Sequence, residues 1–191
     1  YYLYGLSVWG CRMIVVGLMG GLGNQLFQYC TGRRLALRLG TELALDPSFL
    51  QEDRRPRITP RPYMLDRFNI AARLLTREEV ERFVNGGMPG YRLALNKVTH
   101  RLFERRFFYR PRMFIERDKN FEPDVLTLPD DRYLYGYFQS DRYFRDVRET
   151  VLQELMVKEP MNEANAEIAR QIMQSDSVCL HVRRGDYLTN R

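Results

Sequence analysis

At 191 residues the chain has room for one large domain, or for one domain and part of a second, and 45% hydrophobic with 13% aromatic residues places it among globular proteins, excluding collagenous, low-complexity and disordered classes. Its net charge of +6 comes from 27 Arg against 3 Lys, a balance that suits bidentate recognition of an anionic ligand and fits an arginine-favouring codon usage equally well. Cys11, Cys30 and Cys179 are odd in number and widely spaced, and the histidines are His100 and His181 alone, so a reduced cellular setting and no structural metal are the expectations.

Residues 1–12 read as a leader or as extra upstream translation before a native start at Met13. A membrane span over Tyr1 to Leu22 is disfavoured because Arg12 sits in its middle and Gly recurs. Met13 to Leu18 is a buried strand, Met19 to Gln25 a glycine turn, and a helix runs from Asn24 as N-cap to Gly40 as C-cap. Thr41 to Asp46 alternates as a second strand, giving a βαβ beginning and hence a parallel sheet. The turn matches a dinucleotide fingerprint incompletely. Gly21 and Gly23 fill its first two glycine positions and Asp46 stands where an acidic ribose ligand would, but Leu26 occupies the third. Two readings of the turn remain: amides and the Asn24 and Gln25 side chains presented to a ligand, or a capping Asn beside a solvent-facing Gln.

Pro47 to Pro62 is a proline- and arginine-rich loop. Thr76 to Glu79 starts a capped helix that ends before Asn85-Gly-Gly87. Arg101 to Arg110 interleaves arginine with aromatics; with no nucleic-acid signature beside it, it reads as an amphipathic segment or strand edge. Phe107 to Ile115 is strand-like, and Asp118 to Asp131 is loop-like with a short helix around Val125. Arg132 to Phe138 is a strand, Asp141 to Val157 a helix closed by Pro160, and Asn162 to Gln174 an amphipathic helix. Val178, Leu180 and Val182 then alternate as a largely buried strand that stops in Arg183-Arg184-Gly185-Asp186. Two guanidiniums at a strand's carboxyl end form a phosphate receptor; an ordinary strand ending in solvated charges fits the same four residues.

Resemblance narrows these alternatives. Met13 to Tyr29 (M-I-V-V-G-L-M-G-G-L-G-N-Q-L-F-Q-Y) resembles the amino-terminal signature of the family 11 glycosyltransferases, the α-1,2-fucosyltransferases. Arg61 to Ile70 (R-P-Y-M-L-D-R-F-N-I) and Tyr135 to Phe144 (Y-G-Y-F-Q-S-D-R-Y-F) resemble later blocks of that family in the same order, and His181 to Asp186 resembles its H-x-R-R-G-D motif. The resemblance implies an α/β, Rossmann-like lobe of a two-lobed GT-B glycosyltransferase, with the second lobe largely missing. Residues 13–175 would form the acceptor-side lobe and 176–191 the start of the donor-binding lobe. It also implies a GDP-fucose donor, a galactose-terminated glycan acceptor, inversion at the fucose anomeric carbon, no required metal and no other cofactor. Arg183 would contact the β-phosphate, with Arg184 and His181 assisting or positioning the loop, while Gly20, Gly21, Gly23, Asn24 and Gln25 form the cleft-facing turn near the transferred sugar or acceptor. Asp186 would serve as the base for the acceptor hydroxyl or pair with the arginines instead.

Two other functions stay open: a truncated remnant that only binds nucleotide or glycan, and an NAD-dependent enzyme, which Leu26 disfavours. No nucleic-acid partner is expected, and the expected location is the cytoplasm, including the inner face of the membrane through peripheral association.

Overall fold

A computed structural model describes residues 12–51, 61–86, 112–118, 120–180 and 182. The described chain divides into two compact units, one ending at Met156 and one starting at Val157. All of the expected 1–12 leader but Arg12, most of the 47–62 loop, the arginine-aromatic run 101–110 and the start of the 107–115 strand lie outside the described residues.

The first unit is built on a five-stranded, wholly parallel sheet. Its strands are β1 (Met13–Gly17), β2 (Glu42–Asp46), β3 (Arg73–Leu74), β4 (Met113–Ile115) and β5 (Arg132–Tyr135), in spatial order β3-β2-β1-β5-β4. The chain therefore builds outward from β1 on one side through β2 and β3, then returns to fill the other side with β5 and β4. In such a sheet the crevice outside the carboxyl ends of the strands where the order reverses, here β1 and β5, is where ligands bind.

Strand β1 is continuously apolar because it is covered on both faces: Ile14, Val15 and Val16 are fully buried. One face packs on α1 (Leu22–Leu39), whose Tyr29, Cys30, Leu35 and Ala36 join Val16, Leu18, Leu43, Leu45 and Leu134 in the main core. The other face, through Val15, Ala44 and Tyr133, packs with Leu75 and Val84 beside α3 (Arg77–Asn85). The short helix α2 (Ser48–Gln51) follows β2 directly.

The expected capping box is present: the Glu79 amide donates to Thr76 Oγ1 at 3.3 Å, and the Thr76 amide donates to Glu79 Oε2 at 2.8 Å. Gly40 closes α1 in the left-handed region at φ 60°.

Four expectations need correction. Helix α1 begins at Leu22 with Gly21 as its extended N-cap residue, so Asn24 lies inside the first turn and caps nothing. Strand β5 ends at Tyr135 because the side chain of Glu116 captures the next amides and turns the chain. The 141–157 helix breaks into two short 3-10 turns, Asp141–Tyr143 and Arg145–Val147, before α4 (Arg148–Glu154). Phe144 leaves helical geometry at φ −139° and stacks its ring on Phe27 of α1, so tertiary packing overrides local propensity.

The fourth correction falls in the second unit. Its helix α5 (Glu163–Met173) falls within the expected 162–174 span, and Asn162 caps it, its Oδ1 accepting from the Asn165 amide at 2.9 Å. Residues 177–180 form no strand: Val178 is 96% exposed and Leu180 86%. A buried parallel strand needs neighbours to pair its amides and carbonyls, and no described residue pairs with this run.

Candidate functional site

The carboxyl end of β1 runs into the turn Leu18 to Gly21. Gly20 sits at φ 77°, and a side chain there would collide with Asn24 Nδ2, so the turn needs glycine for both conformation and space. Among the described residues no side chain caps the amino end of α1. Gly21 supplies no side-chain cap, the first turn carries no acidic residue, and Gly21 and Gly23 have open space where a Cβ would lie. Unpaired first-turn amides with the positive end of the helix dipole suit an electron-rich oxygen.

Two fully buried glutamines of α1 assemble the rest. Gln25 donates through Nε2 to the carbonyls of Gly20 at 3.1 Å and Pro62 at 2.9 Å, and its Oε1 accepts from the Met64 amide at 3.0 Å. Gln28 accepts the Met19 amide at 3.1 Å on Oε1 and donates to the Gly136 carbonyl at 2.9 Å through Nε2. The blocks 13–29, 61–70 and 135–144, far apart in sequence, therefore meet around the amino end of α1. Gln25, expected to face a ligand, spends its donors and acceptor on the chain itself; its part is to hold the 62–64 segment against the turn.

The β5 side of the crevice is held from β4. Glu116, one residue past that strand, accepts the Tyr137 amide at 2.6 Å on Oε2 and the Phe138 amide at 3.0 Å on Oε1. A side chain at Gly136 would collide with Glu116 Cβ, which explains the glycine. Phe138 is fully buried with φ 51°, a conformation that costs a non-glycine residue about 1–3 kcal/mol, and its ring meets Tyr143 edge-on at 5.7 Å. Burial of that ring and the two carboxylate bonds offset the strain. The next residue, Gln139, is exposed and donates to Asn24 Oδ1 at 2.7 Å, linking the two sides of the crevice.

Asp46, at the carboxyl end of β2, is 2% exposed. Its Oδ2 accepts from Tyr133 Oη at 2.6 Å and its Oδ1 from the Ser48 amide at 2.9 Å. A carboxylate committed in this way is not offered to a ribose, which leaves the dinucleotide reading with Gly21 and Gly23 alone. Beneath the site, Tyr29 donates to Glu154 Oε2 at 2.5 Å, and Arg33 forks onto the same carboxylate at 2.6 and 2.8 Å, fixing α1 to α4. Burial, then the bond to Glu154, pushes the Tyr29 phenol well above its ordinary range, and burial pushes the Cys30 thiol up to about 12.

Of the residues singled out from sequence, Gly20, Gly21, Gly23 and Asn24 line the open end of α1, and Gln25 lies behind it. His181, Arg183, Arg184 and Asp186 lie outside the described residues. Gln28, Glu116 and Gln139 were not singled out. Gln28 carried a signal, an amide amid Leu26, Phe27, Tyr29 and Cys30; Glu116 carried none, because its partners are 21 and 22 residues away. Among the described residues no group of three His, Cys, Asp or Glu side chains is placed to hold a metal, and no helix is long and apolar enough to cross a membrane.

Residues 97–191 match the family described as Glycosyl transferase family 11. The chain is 31% identical over 190 residues to an O-antigen biosynthesis glycosyltransferase, WbnK, of Escherichia coli, an alignment covering 91% of this chain and 59% of that protein. It is 27% identical over 180 residues to an α-1,2-colitosyltransferase of Escherichia coli, covering 93% of this chain and 56% of the relative. The chain thus spans somewhat over half the length of these curated relatives. No solved structure matches it.

Proposed function

From a chain that carries the family 11 glycosyltransferase pattern over residues 97–191 and resembles two curated glycosyltransferases along most of its length, we infer that the whole protein transfers fucose from GDP-fucose to the 2-hydroxyl of a galactoside, with inversion and without a required metal. The observation that carries the reading is the convergence of three sequence blocks on the uncapped amino end of α1, at the carboxyl ends of β1 and β5, under Gln25 and Gln28.

In this reading Arg183 stabilises the charge that grows on the β-phosphate as the bond to fucose breaks, with Arg184 and His181 setting the loop. The sugar passes through an oxocarbenium-like state, and a fixed guanidinium aimed at the leaving oxygen contributes about 3 kcal/mol, roughly a hundredfold in rate. Asp186 is the proposed base for the acceptor hydroxyl, or the partner that holds the arginines. The turn Gly20, Gly21, Gly23 and Asn24 faces the sugar, where its amides meet hydroxyl oxygens, and Gln25 keeps that turn in shape. Work at the inner face of the membrane is part of the same proposal.

The name of one relative favours a second reading, in which the transferred sugar is colitose. Incubating the full chain with GDP-fucose and lactose and following the product by mass spectrometry tests the first; a colitosyl nucleotide in a parallel arm tests the second. Transfer of either sugar, lost on Arg183→Ala with the fold intact, is the expected result. Calorimetric binding of NAD in place of either sugar nucleotide would sink both readings. Binding of GDP-fucose without transfer would leave a protein that only holds its ligand.

A further inference from the structure

We propose that Gln139 is a ligand-facing residue of the crevice, addressing a sugar hydroxyl, and that Glu116 is the positioning residue that sets it there. The proposal rests on the glycosyl-transfer reading above.

The chain has to make an awkward passage between Tyr135 and Gln139. The Phe138 side chain must enter the core while Gln139 emerges beside α1, and the backbone manages this only with Phe138 at φ 51°. Glu116 stabilises that passage with one carboxylate. Oε2 takes the Tyr137 amide at 2.6 Å and Oε1 the Phe138 amide at 3.0 Å, while the Glu116 amide donates to the Tyr135 carbonyl at 2.9 Å. Paired amide bonds to an ionised acceptor are stronger than neutral ones and fix direction as well as distance.

The residue delivered by this clamp is exposed and only partly used. Gln139 gives one amide hydrogen to Asn24 Oδ1 at 2.7 Å, which leaves its second hydrogen and Oε1 without a partner among the described residues. One donor and one acceptor on a single planar group match a sugar hydroxyl, which is both; a phosphate offers acceptors only. Asn24 of α1 holds this carboxamide, and in the same first turn Gly21 and Gly23 have no described atom within 4 Å of where a Cβ would lie. A surface hydrogen bond between two amides contributes little to folding, so the clamp's strain and its carboxylate are spent on where Gln139 points.

The test uses the full chain and the variants Gln139→Ala, Glu116→Gln and Glu116→Asp. Side-chain carboxamide signals in a nitrogen-correlated NMR spectrum need no ligand. Those of Gln139 and Asn24 are expected to show mutual contacts in the parent and to lose them in Glu116→Gln, with partial recovery in Glu116→Asp. With GDP-fucose and lactose, Gln139→Ala is expected to raise KM at least tenfold with kcat within threefold, and Glu116→Gln to follow in the same direction. The KM that moves, for donor or for acceptor, identifies which sugar Gln139 touches.

Unchanged carboxamide signals in Glu116→Gln, or unchanged KM for both sugars in Gln139→Ala, overturn the proposal. So does a parallel fall of kcat and melting temperature in Glu116→Gln with KM unmoved, which is the mark of a merely structural carboxylate. A parent chain that transfers no sugar sinks the transfer reading, and the ligand-free spectra still decide the clamp.

Discussion

Gln28 Nε2 donates to the carbonyl of Gly136 at 2.9 Å, across 108 residues of sequence. The same fully buried side chain accepts the Met19 amide, so one residue of α1 pins the carboxyl ends of β1 and β5 at a fixed spacing. Replacing it with Leu keeps the volume and strands both backbone groups without water. Each buried unpaired group costs about 1–3 kcal/mol, so Gln28→Leu is expected to destabilise by about 2–4 kcal/mol in urea unfolding. A variant as stable as the parent would show that neither bond matters.

Gly32 and Gly23 lie on the same helix and predict opposite outcomes. A Cβ on Gly32 would collide with Val16 Cγ2 and lie 2.9 Å from Leu43 Cδ1, where α1 crosses β1 and β2. Gly32→Ala is therefore expected to cost about 1–3 kcal/mol by overpacking. Gly23 faces open space, and Ala there is expected to stabilise the helix by about 0.5–1 kcal/mol. Because the fold gains, any loss of ligand affinity in Gly23→Ala reads on the site alone.

The Glu154 carboxylate holds Tyr29 and Arg33, with Cys30 between them in sequence and 2% exposed. With its thiol raised to about 12, Cys30 stays protonated at pH 8 and is expected to resist iodoacetamide in the native protein, labelling only on unfolding, whereas exposed Cys179 labels at once. Peptide mass mapping checks both. Glu154→Gln removes the partner of a mostly buried guanidinium and is expected to cost about 3 kcal/mol.

Acid should weaken the link between α1 and the turn before α4. Hydrogen bonding to Arg34 holds the Asp146 carboxyl below its ordinary value of 3.8. A depressed folded value means the contribution is complete above the unfolded value and is lost as pH falls through the lower, folded one. Asp146→Asn is expected to melt below the parent at pH 6, with the two melting temperatures converging as pH drops below 3.8. A gap that stays constant to pH 2 would remove this ion pair from the stability of the fold.

The local patterns along the chain were enough for the βαβ start, the Thr76 capping box, the Gly40 cap and the parallel character of the sheet, because each depends on residues within a few positions of one another. The ordered blocks also pointed to the family. What needed tertiary structure was everything settled by partners far away in sequence. Phe144 left its helix to pack on Phe27, and Asp46 turned its carboxylate to Tyr133 and Ser48. Gln25 faced inward to Pro62 and Met64, and Glu116 ended β5 by claiming two amides. Buried polar groups must find partners wherever the fold puts them, and the spacing of residues along the chain does not say where that is.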